Sequence, residues 1–304
     1  MEKKNITASE KRKKLRKMIQ SGEPIMAPGI YDAFCARMVE RAGFPVAYVT
    51  GNGVSACLLG QPDVGLVTLT EITQHAGRMA RALDIPLIVD ADTGYGNALN
   101  VMRTVKEFEA AGVAAIHIED QVSPKKCGHL PGSREVVSEG EQVLKLKAAL
   151  EARQDPDFII IARTDARSAH GLDEAIRRAK SYHAAGADMV FVELPSRNAL
   201  EEMRVVAQSL NVPLVVNMDS ASPLSTLTMG GLREMGITLA IYPGIARYVV
   251  LRAVNKALKQ MIEEGGMHGL GEQMATFEEY NEVLGWSEIQ ALEKRFLLEV
   301  QPGG

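Results

Sequence analysis

A (β/α)8 TIM barrel, of the α/β class, is the fold this sequence predicts, and three observations predict it. Eight short apolar runs rich in β-branched residues recur along 304 residues, most of them continuous, as parallel strands buried on both faces are. Helical patterns lie between them, and "ALNVMRTVKEFEAAG" and "GLDEAIRRAKSYHAAG" close on glycine as helix C-termini do. Polar groups stand at most of the carboxyl ends of the runs, the end at which barrels of this kind build their sites. A doubly wound open sheet competes, but no G-x-G-x-x-G follows the first run.

The elements follow in order. "MEKKNITASEKRKKLRKMIQSG", about residues 1–22, is basic without the apolar stretch of a signal peptide, and reads as a polar helix leading into the domain. The barrel covers about 24–245. Its first four runs are "PIMAPG" from Pro24, "VAYVTG" from Val46, "PLIVDAD" from Pro86 and "AAIHIED" from Ala114. The last four are "FIIIARTD" from Phe158, "MVFVELP" from Met189, "PLVVNMD" from Pro213 and "LAIYPG" from Leu239. Their ends carry Thr50, Asp90 with Asp92, Glu119 with Asp120, Arg163 with Asp165, Glu193, Asn217 and Tyr242. Residues of about 246–304 are helical, with the apolar-periodic tail "EEYNEVLGWSEIQALEKRFLLEV", and the whole reads as one domain.

Composition narrows the partners. A hydrophobic fraction of 46% with 24% charged residues is that of an ordinary globular protein. A net charge of −4 offers no basic field for nucleic acid or an anionic membrane, and no run approaches the length of a membrane span. Cys35, Cys57 and Cys127 are odd in number and far apart, which points to a reducing, cytoplasmic setting.

The expected mouth of the barrel carries recognisable chemistry. Asp90, Asp92 and Glu119 would raise one another's pKa if packed together without a cation; a hard divalent ion, Mg²⁺ or Mn²⁺, resolves this, with Asp63 in "LGQPDVG" placed to accept from its waters. The alternative is that these carboxylates pair with Arg163 or cap helices. Arg163 suits bidentate binding of a substrate carboxylate, or a salt bridge to Glu193 or Asp165. "TGNGVSA", from Thr50, offers backbone N–H groups to an oxyanion or serves only a tight turn. In "PKKCGH", Cys127 and His129 have no second Cys/His pair at zinc spacing. A cysteine flanked by Lys125, Lys126 and His129 in a Gly- and Pro-rich stretch reads either as a reactive thiol on a mobile gate or as an incidental surface cysteine.

"VDADTGYGN", "HIEDQ", "PKKCGHL", "ARTDA" and "QMATF" together resemble the isocitrate lyase/phosphoenolpyruvate mutase superfamily, from about Ile25 to Phe296, and "KKCGH" beside "EDQ" resembles its short lyase branch. The resemblance implies that Asp90 binds Mg²⁺, that Asp92 and Glu119 hold its waters, and that Asp63 lies nearby. It places Tyr48, Thr50, Gly51 and Asn52 around an α-keto acid, Arg163 on a carboxylate, and Glu193 and Asn217 on the far side. Cys127 becomes the acid that protonates the departing carbanion, with Gly128, His129 and Lys125 completing the site and Tyr48 the candidate base. The implied reaction cleaves a 2-hydroxy di- or tricarboxylate of the 2-methylisocitrate or 2,3-dimethylmalate kind to pyruvate or another α-keto acid. A homotetramer, with a last helix exchanged between subunits, is implied as well.

The chain departs from that pattern in places. "NMDSASP", Asn217 to Pro223, stands where close lyases carry an "NMVEGG"-type segment, so Asp219, Ser220 and Ser222 replace a glutamate in binding the second carboxylate. Ser133 stands where lysine is common, and Leu194 follows Glu193 in place of a small residue. A carboxyphosphonoenolpyruvate-type phosphorylmutase and an oxaloacetate decarboxylase are the competing activities. Cys127 argues against the decarboxylase, and Leu or Met near the site would favour an alkyl-bearing acid over a phosphonate.

Overall fold

Each of the eight apolar runs forms a strand. In chain order these are β1 (Ile25–Ile30), β2 (Ala47–Val49), β3 (Leu87–Asp90), β4 (Ala115–Glu119), β5 (Ile159–Thr164), β6 (Met189–Val192), β7 (Leu214–Asn217) and β8 (Ile237–Tyr242). All neighbours are parallel, and β8 closes on β1 through the register Ile25↔Leu239 to Pro28↔Tyr242, so the sheet is a complete eight-stranded barrel. Closure leaves no edge strand unpaired, and it explains the continuous apolar runs. The computed structural model describes residues 6–128, 130 and 134–297.

Helices fill the crossovers. After α1 (Ala8–Gln20) they are α2 (Ala33–Arg41), α3 (Gly51–Leu59), α4 (Leu69–Ala82), α5 (Ala98–Ala110) and α6 (Glu139–Ala152). The second half supplies α7 (Ala166–His170), α8 (Leu172–Ala184), α9 (Ala199–Ser209) and α10 (Met229–Glu234). Most begin at a side-chain cap: Thr68 and Glu71 form a reciprocal capping box on α4, and Asn97 accepts from the first turn of α5.

The first helix does more than lead into the domain. A capping box of Thr7 and Glu10 starts it, and Leu15 is fully buried among Ile25, Ile159 and Met189 inside the barrel. Arg12 ties it down, donating to the Val113 carbonyl at 2.9 Å and pairing with Asp155 at 3.1 Å. Its polar sequence hides this role because only Leu15, with the partly buried Met18 and Ile19, makes the seal.

Between strands and helices lies the outer core, in which Phe108 of α5 is fully buried with Ile116, Ile118 and Phe158. Phe108→Ala is expected to cost about 3–5 kcal/mol, the usual range for a large-to-small change with a residual cavity. Chemical denaturation with matched slopes for the two proteins checks it.

The chain divides into two units, Met1–Arg247 and Tyr248–Gly304. α11 (Ile245–Glu264) begins in the first and continues into the second, which also holds α12 (Phe277–Leu284) and α13 (Trp286–Phe296). None of these three helices has a buried residue, and Leu251, Phe277, Trp286, Leu292 and Phe296 are exposed. Among the described residues no helix is long and apolar enough to cross a membrane, and all three cysteines are free.

Candidate active site

Strand alternation decides which side chains reach the mouth of the barrel. On β4, Ile116 and Ile118 face the helices, whereas Ala115, His117 and Glu119 take the inward parity. The same parity turns Tyr48, Asp90, Arg163 and Asn217 inward, and Glu193 continues the inward row of Met189 and Phe191. Register sets Asp90 opposite His117 and Glu119 opposite Arg163. Above these ends a cavity opens, lined from the first half of the barrel by Tyr48, Thr50, Asn52, Asp63, Asp90 and Glu119. The β4–α6 loop adds Lys125, Lys126, Cys127 and Gly128, and the second half adds Arg163, Glu193 and Asn217.

Two more expected residues stand against that wall. A Cβ on Gly51 would lie 2.9 Å from Asp90 Oδ2 and 3.4 Å from Asp92 Oδ1, so glycine is what lets the first turn of α3 approach the carboxylates. Thr50 is the N-cap of α3 but makes no side-chain cap bond, which leaves the first N–H groups of the helix as anion donors. Asp92 sits at φ 48, a left-handed conformation rare outside glycine. Two hydrogen bonds hold it there: its N–H donates to Asp90 Oδ1 at 3.0 Å, and its carbonyl accepts from Glu119 N at 2.8 Å.

The charges of the mouth do not balance. Asp63, Asp90, Asp92, Glu119, Asp165 and Glu193 are all buried, facing three buried cations, Lys125, Arg134 and Arg163. Arg163 is wrapped by acids: Asp165 takes Nε at 2.9 Å and Nη2 at 3.1 Å, while Glu119 and Glu193 each approach to 3.3 Å, and the guanidinium lies 5.0 Å from the Phe191 ring centre. Both sequence alternatives for Arg163 as a salt-bridge partner are therefore realised. Lys125 differs from expectation. Its ammonium turns to Asp63 Oδ2 at 2.7 Å and Asp92 Oδ1 at 2.8 Å, because buried carboxylates attract it more than a thiol does.

Burial first, and then these charges, shift the titration of the site. Burial pushes Asp92 up to about 7, with Asp90 and Asp63 adding to the effect against the pull of Lys125. Burial likewise raises Glu119, helped by Asp165 and Asp90. Asp90 goes the other way: despite burial, His117, Lys125 and Arg163 hold it at about 2. Burial lowers His117 to about 4, so its imidazole is neutral, with Nε2 at 2.9 Å from the Tyr48 hydroxyl and Nδ1 at 3.6 Å from Asp90 Oδ1. Burial, followed by the Asp90 charge, keeps the Tyr48 phenol protonated.

Among the described residues no three His, Cys, Asp or Glu side chains converge as a ready metal cage. The reason is visible in the pairings: Lys125 takes Asp63 and Asp92, and Arg163 takes one side of Glu119. The donor set nonetheless fits a hard divalent cation that keeps most of its waters. Asp90 is ionised, Glu119 Oε1 is buried without a hydrogen-bond partner, and Asp92 and Glu119, raised first by burial and further by neighbouring carboxylates, would gain from a cation's charge.

Two features of the segment that follows β7 add to the sequence reading. Asp219 Oδ1 accepts from Ala221 N at 2.9 Å and Ser222 Oγ accepts from Leu224 N at 3.2 Å, so both side chains brace their own turn. The segment also lends Ala221, Ser222 and Pro223 to a second cavity of about 500 Å³, shared with Gly128, Leu130, Arg134 and Leu194. His129 and Ser133 lie outside the described residues. His117, Phe191 and Arg247 line or support the site without having been expected there. Period-two counting back from Glu119 along "AAIHIED" would have found His117; Arg247, just beyond β8, gave no local signal.

Comparison with known proteins places this geometry. The model of the phosphoenolpyruvate phosphomutase family matches residues 15–262. The chain is 43% identical to the 2,3-dimethylmalate lyase of Eubacterium barkeri, over 93% of this chain and 97% of that protein. It is 39% identical to a 2-methylisocitrate lyase of Aeropyrum pernix, over 91% and 88% respectively. A crystal structure of 2,3-dimethylmalate lyase, described as a PEP mutase/isocitrate lyase superfamily member, superimposes with a TM-score of 0.87 at 36% identity, covering 98% of both chains. The chain belongs to the phosphoenolpyruvate phosphomutase family and is a lyase of the wider phosphoenolpyruvate mutase/isocitrate lyase superfamily.

Proposed function

We propose that this lyase cleaves the C2–C3 bond of a 2-hydroxy di- or tricarboxylate of the 2,3-dimethylmalate or 2-methylisocitrate kind, releasing an α-keto acid such as pyruvate and a second carboxylate such as propionate or succinate. The observation that carries the reading is the meeting, in one cavity, of a surplus-acid cluster around Asp90 with a free thiol, Cys127. Mg²⁺, or Mn²⁺, held by Asp90 with waters on Asp92 and Glu119, would supply the positive charge that makes the substrate hydroxyl acidic and holds its carboxylate.

The remaining steps belong to the side chains. The free N–H groups of Gly51 and Asn52 at the start of α3, with the Thr50 hydroxyl, suit the α-keto acid's carboxylate. Arg163, pre-oriented by three acids at Nε and Nη2, offers Nη1 to the same half. The substrate hydroxyl gives up its proton, the C–C electron pair leaves with the second fragment as a carboxylate-stabilised enediolate, and the Cys127 thiol protonates that carbon. Tyr48 can take the hydroxyl proton only as it passes its own to His117 Nε2, since its phenol stays protonated. Glu193 and Asn217, which approach each other at 3.4 Å, bound the far side. Leu130, Leu194, Pro195 and Pro223 in the adjoining cavity suit an alkyl-bearing fragment, and Arg134 and Arg197 its second carboxylate, which supports an alkylated acid over a phosphonate.

The test is pyruvate release coupled to lactate dehydrogenase, from both acids, with and without EDTA. Chelation is expected to stop turnover and Mg²⁺ to restore it. A hundredfold excess of Mg²⁺ over its Kd would also stabilise the fold by about 2.7 kcal/mol, so the melting temperature rises with the metal. Turnover that survives exhaustive chelation would remove the metal from the reading. Assembly falls under the same proposal: the exposed apolar residues of α11 to α13 support helix exchange in a homotetramer, which sedimentation would weigh directly.

A further inference from the structure

Gln121 lies two residues beyond the end of β4 and is buried, yet it is not among the residues lining the catalytic cavity. Its side-chain amide meets one residue in two directions: Nε2 donates to the Lys126 carbonyl at 3.1 Å, and Oε1 accepts from the Lys126 N–H at 3.0 Å. Lys126 immediately precedes Cys127. On the other side of that residue the Cys127 N–H donates to the Asp63 carbonyl at 3.0 Å. The main chain that carries the thiol is thus gripped just before and at the cysteine itself.

The grip has a firm base. The backbone of Gln121 pairs antiparallel with Val136, Val122 N donates to Glu135 O at 2.9 Å, and Val137 N donates to Asp120 O at 2.8 Å, which ties the two ends of the loop together. Asp120 is itself fixed by Thr164 at 2.8 Å, Tyr182 at 2.8 Å and Arg178 at 3.1 Å. Only an amide of this length fits the task. Glutamate could accept from the Lys126 N–H but would set lone pairs against its carbonyl, methionine could do neither, and asparagine falls one carbon short.

We propose that Gln121 is the positioning residue of the thiol, holding the Lys126 peptide so that Cys127 faces the cavity. The proposal rests on the reading of Cys127 as the proton donor. Gln121 never touches substrate, so its loss weakens the protonation step and leaves binding alone. Lys126 is exposed, so water satisfies its freed peptide groups and the fold survives.

Gln121→Met and Gln121→Glu are compared with the wild type and with Cys127→Ser in the full enzyme with Mg²⁺. In both Gln121 variants kcat is expected to fall about 10- to 100-fold, the effect of misplacing a reacting group by about 1 Å or less, while KM stays within about twofold. Peptide mass spectrometry reads the second quantity, the rate at which iodoacetamide alkylates Cys127, and this rate should change several-fold in both variants while that of Cys57 does not. Unchanged kcat and unchanged alkylation would overturn the proposal, as would a fall in kcat matched by loss of the folded state in melting. Activity in Cys127→Ser would overturn it together with the acid role. If the wild type releases no pyruvate from either acid, the substrate reading fails alone, and the Cys127 alkylation rate still decides the role of Gln121.

Discussion

Cys127→Ser will leave a folded, metal-responsive protein that turns over at least about 10³-fold more slowly, within the range a positioned general acid contributes. An alcohol parts with its proton far less readily than a thiol, and among the described residues of the β4–α6 loop no other side chain is placed to do the same. Lys125 is held by Asp63 and Asp92, and Lys126 is exposed. Folding should not change, since the thiol is only half-buried and the backbone bond from its N–H to Asp63 remains. The checks are kcat for pyruvate release beside a thermal melt. More than a tenth of the wild-type kcat, with the melt intact, would sink the assignment of Cys127.

Arg163→Met is expected to destabilise the fold by about 3–5 kcal/mol, the cost of removing one partner from a buried ion pair. Here the penalty falls on Asp165, Glu119 and Glu193 at once, each within 3.3 Å of the guanidinium. Folded domains hold only about 5–15 kcal/mol in reserve, so this variant should melt many degrees earlier. Arg163→Lys separates charge from shape. An ammonium keeps the field but cannot repeat the two-pronged contact with Asp165. That variant should fold and yet lose on the order of 10²-fold in kcat/KM as the substrate carboxylate is misplaced. Denaturant unfolding of both variants, read beside their kinetics, distinguishes the two roles; a Met variant as stable as the wild type would mean that the three acids protonate at little cost.

Much of this architecture was legible before any coordinates. Continuous apolar runs such as "FIIIARTD" announce strands covered on both faces, and the glycines closing "FEAAG" and "YHAAG" mark helix ends; both signals are local, and the apolar run repeats eight times. The acidic cluster and the polar wall of the cavity were legible for the same reason, because polar residues gathered at one end of each run have one place to go once the sheet closes. Arg163 shows the limit. Its sequence allowed a substrate clamp or a salt bridge to Glu193 or Asp165; the fold makes both salt bridges, and the clamp remains part of the proposal.

Residue order therefore dictated the barrel, the face that bears the site and the kinds of atom found there, since periods of two and of 3.6 are written along the chain itself. Pairing was left to closure. Lys125 meets Asp63 across 62 positions and Tyr48 meets His117 across 69, and nothing in either neighbourhood names the other. The choice of Lys125 between thiol and carboxylates, the neutral state of His117 and the grip of Gln121 on Lys126 depend on which groups burial brings into contact and how strongly their fields act there. Those are properties of the folded interior, where low dielectric magnifies every charge that has lost its water.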